Sequence, residues 1–485
     1  MVVKWKTENV RVTGKMGLEK IEVSNYIGSP MEIISDETIA AISTPPGNGA
    51  IGVVRISGDK ALEILEKISI TQMDYQSIEP AKFYLGKIVD PTKQAPLDQV
   101  MMVWMKAPNS FTGEELVEIH AHGNYLILEE ILRIVVQSGA RLAMPGEFTR
   151  RAFQNGKMDL VQAEAVSDLI HGLSHKAIKI AERQLSGALS EKIQLLKNNL
   201  TVLRAQMEAM IDFPEDEDVQ VLQHDEIGER IELLSREIIQ LLETYNEGQA
   251  YTKGFSVAIV GRPNVGKSSL LNRLLGEDRS IVHNLPGTTR DTIEEICYIA
   301  GLPVRFVDTA GIRKGCESVE EEGIRRTREK IFKVDLVLAL FDVSEPWTKE
   351  DDEVLEAVSG REYLTIFNKL DLSPEVDRPG IKISAKTGEG VPALKRQIFS
   401  HFVKNKEGSS LENEGLILTN TRHKIALELA LEAMNHVKKS AANKMSLEFL
   451  AADLLIATNQ LAEITGEITN DDLLNEIFSK FCIGK

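Results

Sequence analysis

The stretch from Phe255 to Ser269, FSVAIVGRPNVGKSS, constrains this chain more than any other. A strand-like apolar run ends at Val260, and Gly261 to Ser268 then fit the pattern G-x-x-x-x-G-K-[ST]. The leucine-rich run after Ser269 favours a helix. A strand that turns through a glycine loop into a helix is one unit of a parallel sheet covered by helices. The glycines let backbone N–H groups of Asn264, Val265 and Gly266 point inward at phosphate oxygens. The helix start at Ser268 and Ser269 adds partial positive charge, the Lys267 ammonium a full one, and the Ser268 hydroxyl a ligand for Mg²⁺. The spacing predicts a nucleoside-phosphate site with Lys267 as its catalytic cation.

Three further motifs stand where such a site needs them. Asp308-Thr309-Ala310-Gly311 follow the strand-like Val304–Val307, so Asp308 can reach the Mg²⁺ shell and the Gly311 N–H the terminal phosphate. Asn368-Lys369-Leu370-Asp371 follow Tyr363–Phe367. The Asp371 carboxylate can accept from both N1–H and the exocyclic amine of guanine, a pairing that adenine does not offer. Ser384-Ala385-Lys386 would support the base, and Gly287-Thr288-Thr289-Arg290-Asp291 form a switch segment whose Thr289 could ligate Mg²⁺. Each piece alone could be ordinary loop chemistry. Their order on successive strand ends predicts hydrolysis of a guanine nucleotide.

One position departs from the Ras-like pattern. A glutamine after the D-x-x-G glycine orients the attacking water there, but here the residue is Ile312. Another positive charge could be a monovalent cation held by Asn264 and by carbonyls of the switch segment. Water could be oriented by an acid after Gly311, where Glu317, Glu320, Glu321 and Glu322 lie; a solvated helix start explains the same glutamates.

At 485 residues the chain should divide into about three domains. Short apolar runs, Thr38–Ser43 and Ile51–Ile56, flank the turn-rich Thr44-Pro-Pro-Gly-Asn-Gly49, so residues 36–150 read as mixed α and β. From about 157 to 250 the apolar period becomes helical, as in Ile231, Leu234, Ile238 and Leu241, and it returns after about 405 through His423–Val437 and Leu447–Leu461. The economical account joins these two stretches into one helical domain with the α/β unit emerging between them.

Composition sets limits on partners and setting. A net charge of −17 argues against a chain that wraps nucleic acid unaided, so RNA contact needs a local basic patch or a partner protein. No run approaches the ~18 apolar residues of a membrane-spanning helix, and the first 30 residues hold no apolar core of a secretory signal. Met31 is a plausible alternative start, which makes residues 1–30 a poorly ordered extension or an artefact of expression, and a cytoplasmic setting is expected. Cys297, Cys316 and Cys482 are too scattered for a disulfide framework or a zinc site.

The chain resembles the MnmE (TrmE) family of tRNA-modification GTPases. The likeness is carried by Pro286-Gly-Thr-Thr-Arg-Asp291, by Asn264 in the phosphate loop and by the terminal Phe481-Cys-Ile-Gly-Lys485. It extends through Thr44-Pro-Pro-Gly47, Ser110-Phe-Thr-Gly-Glu114, Pro145-Gly-Glu-Phe148, Asp159-Leu-Val-Gln-Ala-Glu164, Ile211-Asp-Phe-Pro214 and Asp471-Asp-Leu-Leu474. The resemblance implies a multidomain α/β plus all-α fold. An α+β folate-binding and dimerisation domain would cover residues 31–155, a helical domain 156–251 and 404–485, and a Ras-like G domain, doubly wound on a mostly parallel sheet, 252–403 as an insertion.

The function implied is a K⁺-stimulated GTPase working as a homodimer with a flavin-dependent partner (MnmG, GidA). Together they would install an aminomethyl or carboxymethylaminomethyl group on C5 of the wobble uridine of certain tRNAs, using a one-carbon unit from a tetrahydrofolate derivative (5-formyl or methylene). On this sequence, K⁺ would be held by Asn264, His283, Leu285 and Thr288, and Mg²⁺ by Ser268 and Thr289. His283, Asn284, Leu285 and Pro286 would join the nucleotide site, and Glu320 matches the family's water-orienting glutamate. Folate would contact Arg55, Glu118, Lys157 and Lys485. Cys482 is placed beside the folate, as a nucleophile or proton donor; an isolated cysteine is more usually a small apolar residue, and Gly484 and Lys485 do not fit a prenylation box. Two other readings stay open on the residues: an RNA- or ribosome-assembly factor without modification chemistry, and a folate binder with a vestigial nucleotide domain.

Overall fold

The computed structural model describes residues 37–71, 74–93, 95–214, 222–277, 295–307, 334–373, 378–403 and 415–485. The extension read at 1–30 therefore lies outside the described residues.

The first layered unit is built on strands β1 (Ile39–Ile42), β2 (Ile51–Ser57), β3 (Ser69–Thr71), β4 (Phe83–Asp90), β5 (Ala95–Met105), β6 (Leu116–His122) and β7 (Arg141–Leu142). They lie in the order β3-β4-β5-β6-β2-β1-β7. The pairs are antiparallel except β1 with β7. The period of two is plain in β4, where Phe83, Leu85 and Lys87 are exposed while Tyr84 and Ile88 are buried. Two helices, α1 (Ala61–Ile68) and α2 (Tyr125–Gln137), cover the buried face. Leu128, Ile131 and Val135 of α2 pack on Val54, Ile56, Val117 and Ile119 of the sheet. Asn124 opens α2 by accepting the Leu126 N–H at 2.9 Å.

Next come α3 (Glu147–Gln154), α4 (Leu160–His171), α5 (His175–Leu185), α6 (Ala188–Asp212), α7 (His224–Glu243) and α8 (Tyr245–Lys253). Asp159 starts α4 with a capping box, its side chain and that of Gln162 serving each other's backbone N–H. The long helices α6 and α7 do not close a core by themselves. Leu196, Leu200, Leu203, Ile231 and Ile238 share one apolar cluster with Leu427, Met434, Leu454 and Leu461, residues more than 180 positions later.

Between those segments in sequence lies a second sheet of β8 (Phe255–Val260), β9 (Glu295–Ile299), β10 (Leu302–Val307), β11 (Leu336–Asp342), β12 (Tyr363–Asn368) and β13 (Ile381–Lys382). Its order is β13-β12-β11-β8-β10-β9, parallel throughout except for β9 against β10. Every residue of β11 is buried, as a central parallel strand covered on both faces must be. One face packs Val257, Leu338 and Leu340 on α9 (Lys267–Glu277) and α11 (Val391–Phe402) through Leu270, Leu274 and Leu394. The other packs Ala258, Val337 and Phe341 on α10 (Lys349–Val358) through Val358. The sheet is thus wound on both sides, with its loops at the carboxyl ends of the strands.

The chain finishes with α12 (Thr421–Ala442), α13 (Leu447–Thr465) and α14 (Asp471–Ser479). After α14 it leaves the long bundle. Phe478 and Phe481 pack with Leu160, Ala163 and Val166 of α4, and the last turn docks on the first sheet, with the Ser43 hydroxyl donating to Gly484 O at 3.1 Å. No helix among the described residues is long and apolar enough to cross a membrane.

Candidate functional site

The loop after β8 is shaped by close backbone approach. A Cβ on Gly261 would collide with Leu340 O, and one on Gly266, whose φ is +101°, with the Asn368 side-chain amide. Only glycine fits both places. Asn264 takes a left-handed conformation, φ +62°, which asparagine adopts more readily than most side chains. Val265 is buried beneath the loop and anchors it to the sheet. The Lys267 ammonium donates to Gly261 O at 2.6 Å and Arg262 O at 2.7 Å, which draws the charge over the loop. Ser268 and Ser269 follow in the first turn of α9. The turn, the cation and the helix start are the components that cradle a phosphate.

At the end of β12, Asn368 is 2% exposed and joins two loops. Its Nδ2 donates to Val265 O at 2.7 Å, and its Oδ1 accepts the Ala385 N–H at 2.9 Å. The Ser384 hydroxyl in turn donates to Asp371 Oδ1 at 2.6 Å. The phosphate loop, the Asn368–Asp371 turn and the Ser384–Lys386 turn are therefore one hydrogen-bonded assembly. Lys369, with φ +71°, reaches Asp342 at the end of β11, 2.5 Å away. Burial would raise the Asp342 carboxyl, but hydrogen bonds from Lys369 and Ser344 outweigh it and hold it below the ordinary carboxylate range.

Three supporting side chains carry no motif of their own in the sequence. Arg262 pairs with Glu345 at 2.7 Å and with the buried Asp351 at 3.3 Å, tying the phosphate loop to α10. Arg273, in the second turn of α9, donates to Ala385 O at 3.2 Å and also reaches Lys386 O. Asp342 is the third, and its position at a strand end beside the site was the one available signal.

His283, Asn284, Leu285, Pro286, Gly287, Thr288, Thr289, Asp308, Thr309, Ala310, Gly311, Glu317, Glu320, Glu321 and Glu322 lie outside the described residues. Among the described residues no group of three or more His, Cys, Asp or Glu side chains is gathered to hold a metal.

A second cluster forms where the last turn meets the first sheet. Arg55 of β2 and Glu118 of β6 are direct cross-strand partners. Arg55 donates from Nε at 2.9 Å and from Nη2 at 2.6 Å to Glu118 Oε1, and His120 stands 3.2 Å from Oε2. Burial would raise the Glu118 carboxyl; Arg55 and His120 together bring it below its ordinary value. The Arg55 guanidinium lies over the rings of Phe111 and Phe148, at 5.5 and 5.7 Å, and reaches Gly484 O at 3.5 Å. Lys485 is close enough to feel Arg55, Glu118 and Cys482, and burial with the repulsion of Arg55 lowers its ammonium. Lys157 is directed differently, donating to Pro108 O at 2.9 Å. The Cys482 sulfur is 3.6 Å from His171 Nε2. Arg55, Glu118, Lys485 and Cys482 thus form one group, while Lys157, between α3 and α4, is directed at Pro108.

Known proteins match along nearly the whole chain. Residues 160–482 match the family described as the MnmE helical domain, and residues 38–157 the family described as the GTP-binding protein TrmE N-terminus. The tRNA modification GTPase MnmE of Geotalea uraniireducens (strain Rf4) is 44% identical over 455 residues, covering 93% of this chain and 99% of the relative. That of Clostridioides difficile (strain 630) is 40% identical over 462 residues, with 93% and 99% covered. Among solved structures, the G domain of the T. maritima FeoB iron transporter is 29% identical over 30% of this chain and 98% of its own, at a TM-score of 0.24, too low to support an argument. With identity at this level over the full length of the relatives and both flanking regions matched, the chain belongs to the MnmE (TrmE) family of tRNA modification GTPases.

Proposed function

We propose that this protein hydrolyses GTP, with K⁺ stimulation, to drive modification of the wobble uridine of certain tRNAs. In this reading residues 252–403 are a G domain inserted in a helical domain formed by 156–251 and 404–485, and 31–155 are the folate-binding and dimerisation domain. The protein works in the cytoplasm as a homodimer, joined by a flavin-dependent partner of the MnmG (GidA) type that contributes most of the tRNA contact. An acidic chain of net charge −17 is consistent with that division.

The observation that carries the nucleotide part is the pair of hydrogen bonds made by Asn368. It sets the phosphate loop and the base-reading turns at a fixed separation, so a nucleotide bridging them is selected at both ends. Backbone amides of Asn264–Gly266 and the Lys267 ammonium hold the phosphates, exchanging the Lys267 bonds to Gly261 O and Arg262 O for phosphate oxygens. Asp371, oriented by Ser384, accepts from N1–H and the exocyclic amine of guanine. Ser268 and Thr289 would hold Mg²⁺, and Asn264, Thr288 and main-chain groups of His283 and Leu285 would hold K⁺. Both ions would supply positive charge against the negative charge on the transferred phosphoryl group and its leaving oxygen. Glu320 orients the attacking water, the role that Ile312 leaves open.

The Arg55–Glu118 cluster suits a tetrahydrofolate derivative in its donor set: a carboxylate for an amino-pyrimidine edge, cations for the tail carboxylates and aromatic faces beneath. That group would supply the one-carbon unit. Arg55 and Lys485 orient it, Lys157 flanks it, and Cys482 provides the thiol next to it.

Mass spectrometry of wobble nucleosides in cells lacking the protein tests the whole reading. Loss of the C5 aminomethyl-type nucleosides, restored by the wild-type chain and not by Asp371→Asn, is expected. A normal nucleoside profile in the deleted cells would refute it.

A further inference from the structure

Helix α4 ends at His171, and its geometry fixes the state of that ring. His171 Nδ1 lies 2.9 Å from the carbonyl oxygen of Ser167, one turn earlier. A carbonyl oxygen accepts and never donates, so Nδ1 carries the proton of the neutral ring. Nε2 is left with its lone pair, and it faces the Cys482 sulfur at 3.6 Å. The thiol therefore donates to His171. The backbone that carries the thiol is anchored by contacts that do not involve the imidazole. Gly146 N–H donates to Cys482 O at 3.4 Å, and Gly484 O accepts from Ser43 and Arg55. Two segments 311 positions apart are thus each anchored independently, with the acceptor nitrogen of one aimed at the thiol of the other.

We propose that His171 is a positioning residue for Cys482: its Nε2 takes the thiol proton, so that the sulfur acts as a thiolate. In the step the S–H bond breaks, an Nε2–H bond forms, and the bonding pair stays on sulfur. No oxidant or reductant is consumed. This deepens the reading of Cys482 as the thiol of the one-carbon site and rests on it.

Charged groups stand on both sides of the pair. Asp168, on the same helix, faces His171; burial and the neighbouring Glu164 push its carboxyl up to about 6, against the pull of His171 and Lys253. Above that pH it is an anion beside the imidazolium. From α8, Lys253 faces Asp168. From the C-terminal turn Lys485 faces Cys482, with Arg55 and Glu118 beyond it, and offers positive charge to the thiolate. A thiolate between cations, paired with an imidazolium backed by a carboxylate, is the arrangement that activates cysteine nucleophiles.

The test is alkylation of Cys482 by iodoacetamide in the full-length protein, followed by mass spectrometry of the C-terminal peptide from pH 6 to 9.5. His171 and Cys482 are both exposed, so His171→Phe should keep the fold, and an unchanged melting temperature verifies this. Wild-type Cys482 should react about fivefold faster than the variant near pH 6.5, gained thiolate being partly offset by lower intrinsic nucleophilicity. The difference should close by pH 9.5, where any thiol is largely ionised. Identical rate profiles in wild type and His171→Phe would overturn the proposal. A normal wobble nucleoside in cells carrying Cys482→Ser would instead refute the role of Cys482 itself, and the labelling comparison would be unaffected.

Discussion

Asn368 shows how one amide can decide whether a set of loops is a site. It lies at a strand end, is 2% exposed, and both its polar atoms are engaged, with Val265 103 positions before it and Ala385 17 after. Asn368→Ala orphans the Val265 carbonyl and the Ala385 N–H at about 1–3 kcal/mol each. Guanine-nucleotide affinity, measured with a fluorescent GDP analogue, should fall roughly tenfold or more, while far-ultraviolet circular dichroism stays the same. Much of this residue-scale chemistry was legible beforehand, because glycine loops and N-K-x-D turns are local patterns. The partners that hold them were not. Arg273 and Arg262 look like any surface arginine in sequence, and only the packing of α9 and α10 against the sheet brings them to Lys386, Ala385 and Asp351. Likewise, sequence offers Arg55 and Glu118 as separate ligand contacts, and only their register across β2 and β6 shows that they also partner each other.

At the scale of elements, α4 is tied to the start of α12 by a buried ion cluster. Glu164 accepts from Arg422 Nε and Nη2 at 2.9 Å and stands 2.7 Å from His423 Nε2, while Arg422 also caps carbonyls of Glu463 and Ile464 at the end of α13. Burial alone would raise the Glu164 carboxyl; His423 and Arg422 outweigh it and lower it to about 2. Since the folded-state value is below the unfolded one, this carboxylate stabilises the fold above pH ~4.5. That contribution fades as pH falls toward 2. Glu164→Gln leaves the Arg422 guanidinium without its buried carboxylate partner and should cost about 3–5 kcal/mol. Urea titrations at pH 7 and pH 3 should show the penalty shrinking at the lower pH; an equal penalty at both would contradict the assignment. The helices and strands themselves followed the apolar period closely, with Phe255–Val260 forming a strand over those residues. Local period says nothing of partnership, and so neither the antiparallel β9 nor the docking of Phe478 and Phe481 on α4 could be read from it.

At the scale of the whole molecule, the chain folds back on itself twice. The long helices share a core with segments that follow the second sheet in sequence, and the C-terminal turn returns to the first sheet through Gly484. The proposed nucleotide and one-carbon sites are therefore carried on separate layers joined by helices, and α4 belongs to the cluster that reaches Cys482. If GTP turnover needs a monovalent ion in place of an arginine finger, as Ile312 and Asn264 suggest, hydrolysis should be at least tenfold faster in KCl than in NaCl at equal ionic strength. Phosphate-release kinetics in the two salts measure this, and equal rates would remove K⁺ from the account.

The central claim is that a loop of amides and one lysine holds phosphates while Asp371 selects guanine. Calorimetric titration of the full-length protein with GDP and with ADP, both with Mg²⁺, tests it most directly. One GDP per chain should bind with ADP weaker by about a hundredfold or more, as expected when the Asp371 carboxylate loses two donors. Equal heats and affinities for the two nucleotides, or none for GDP, would contradict it.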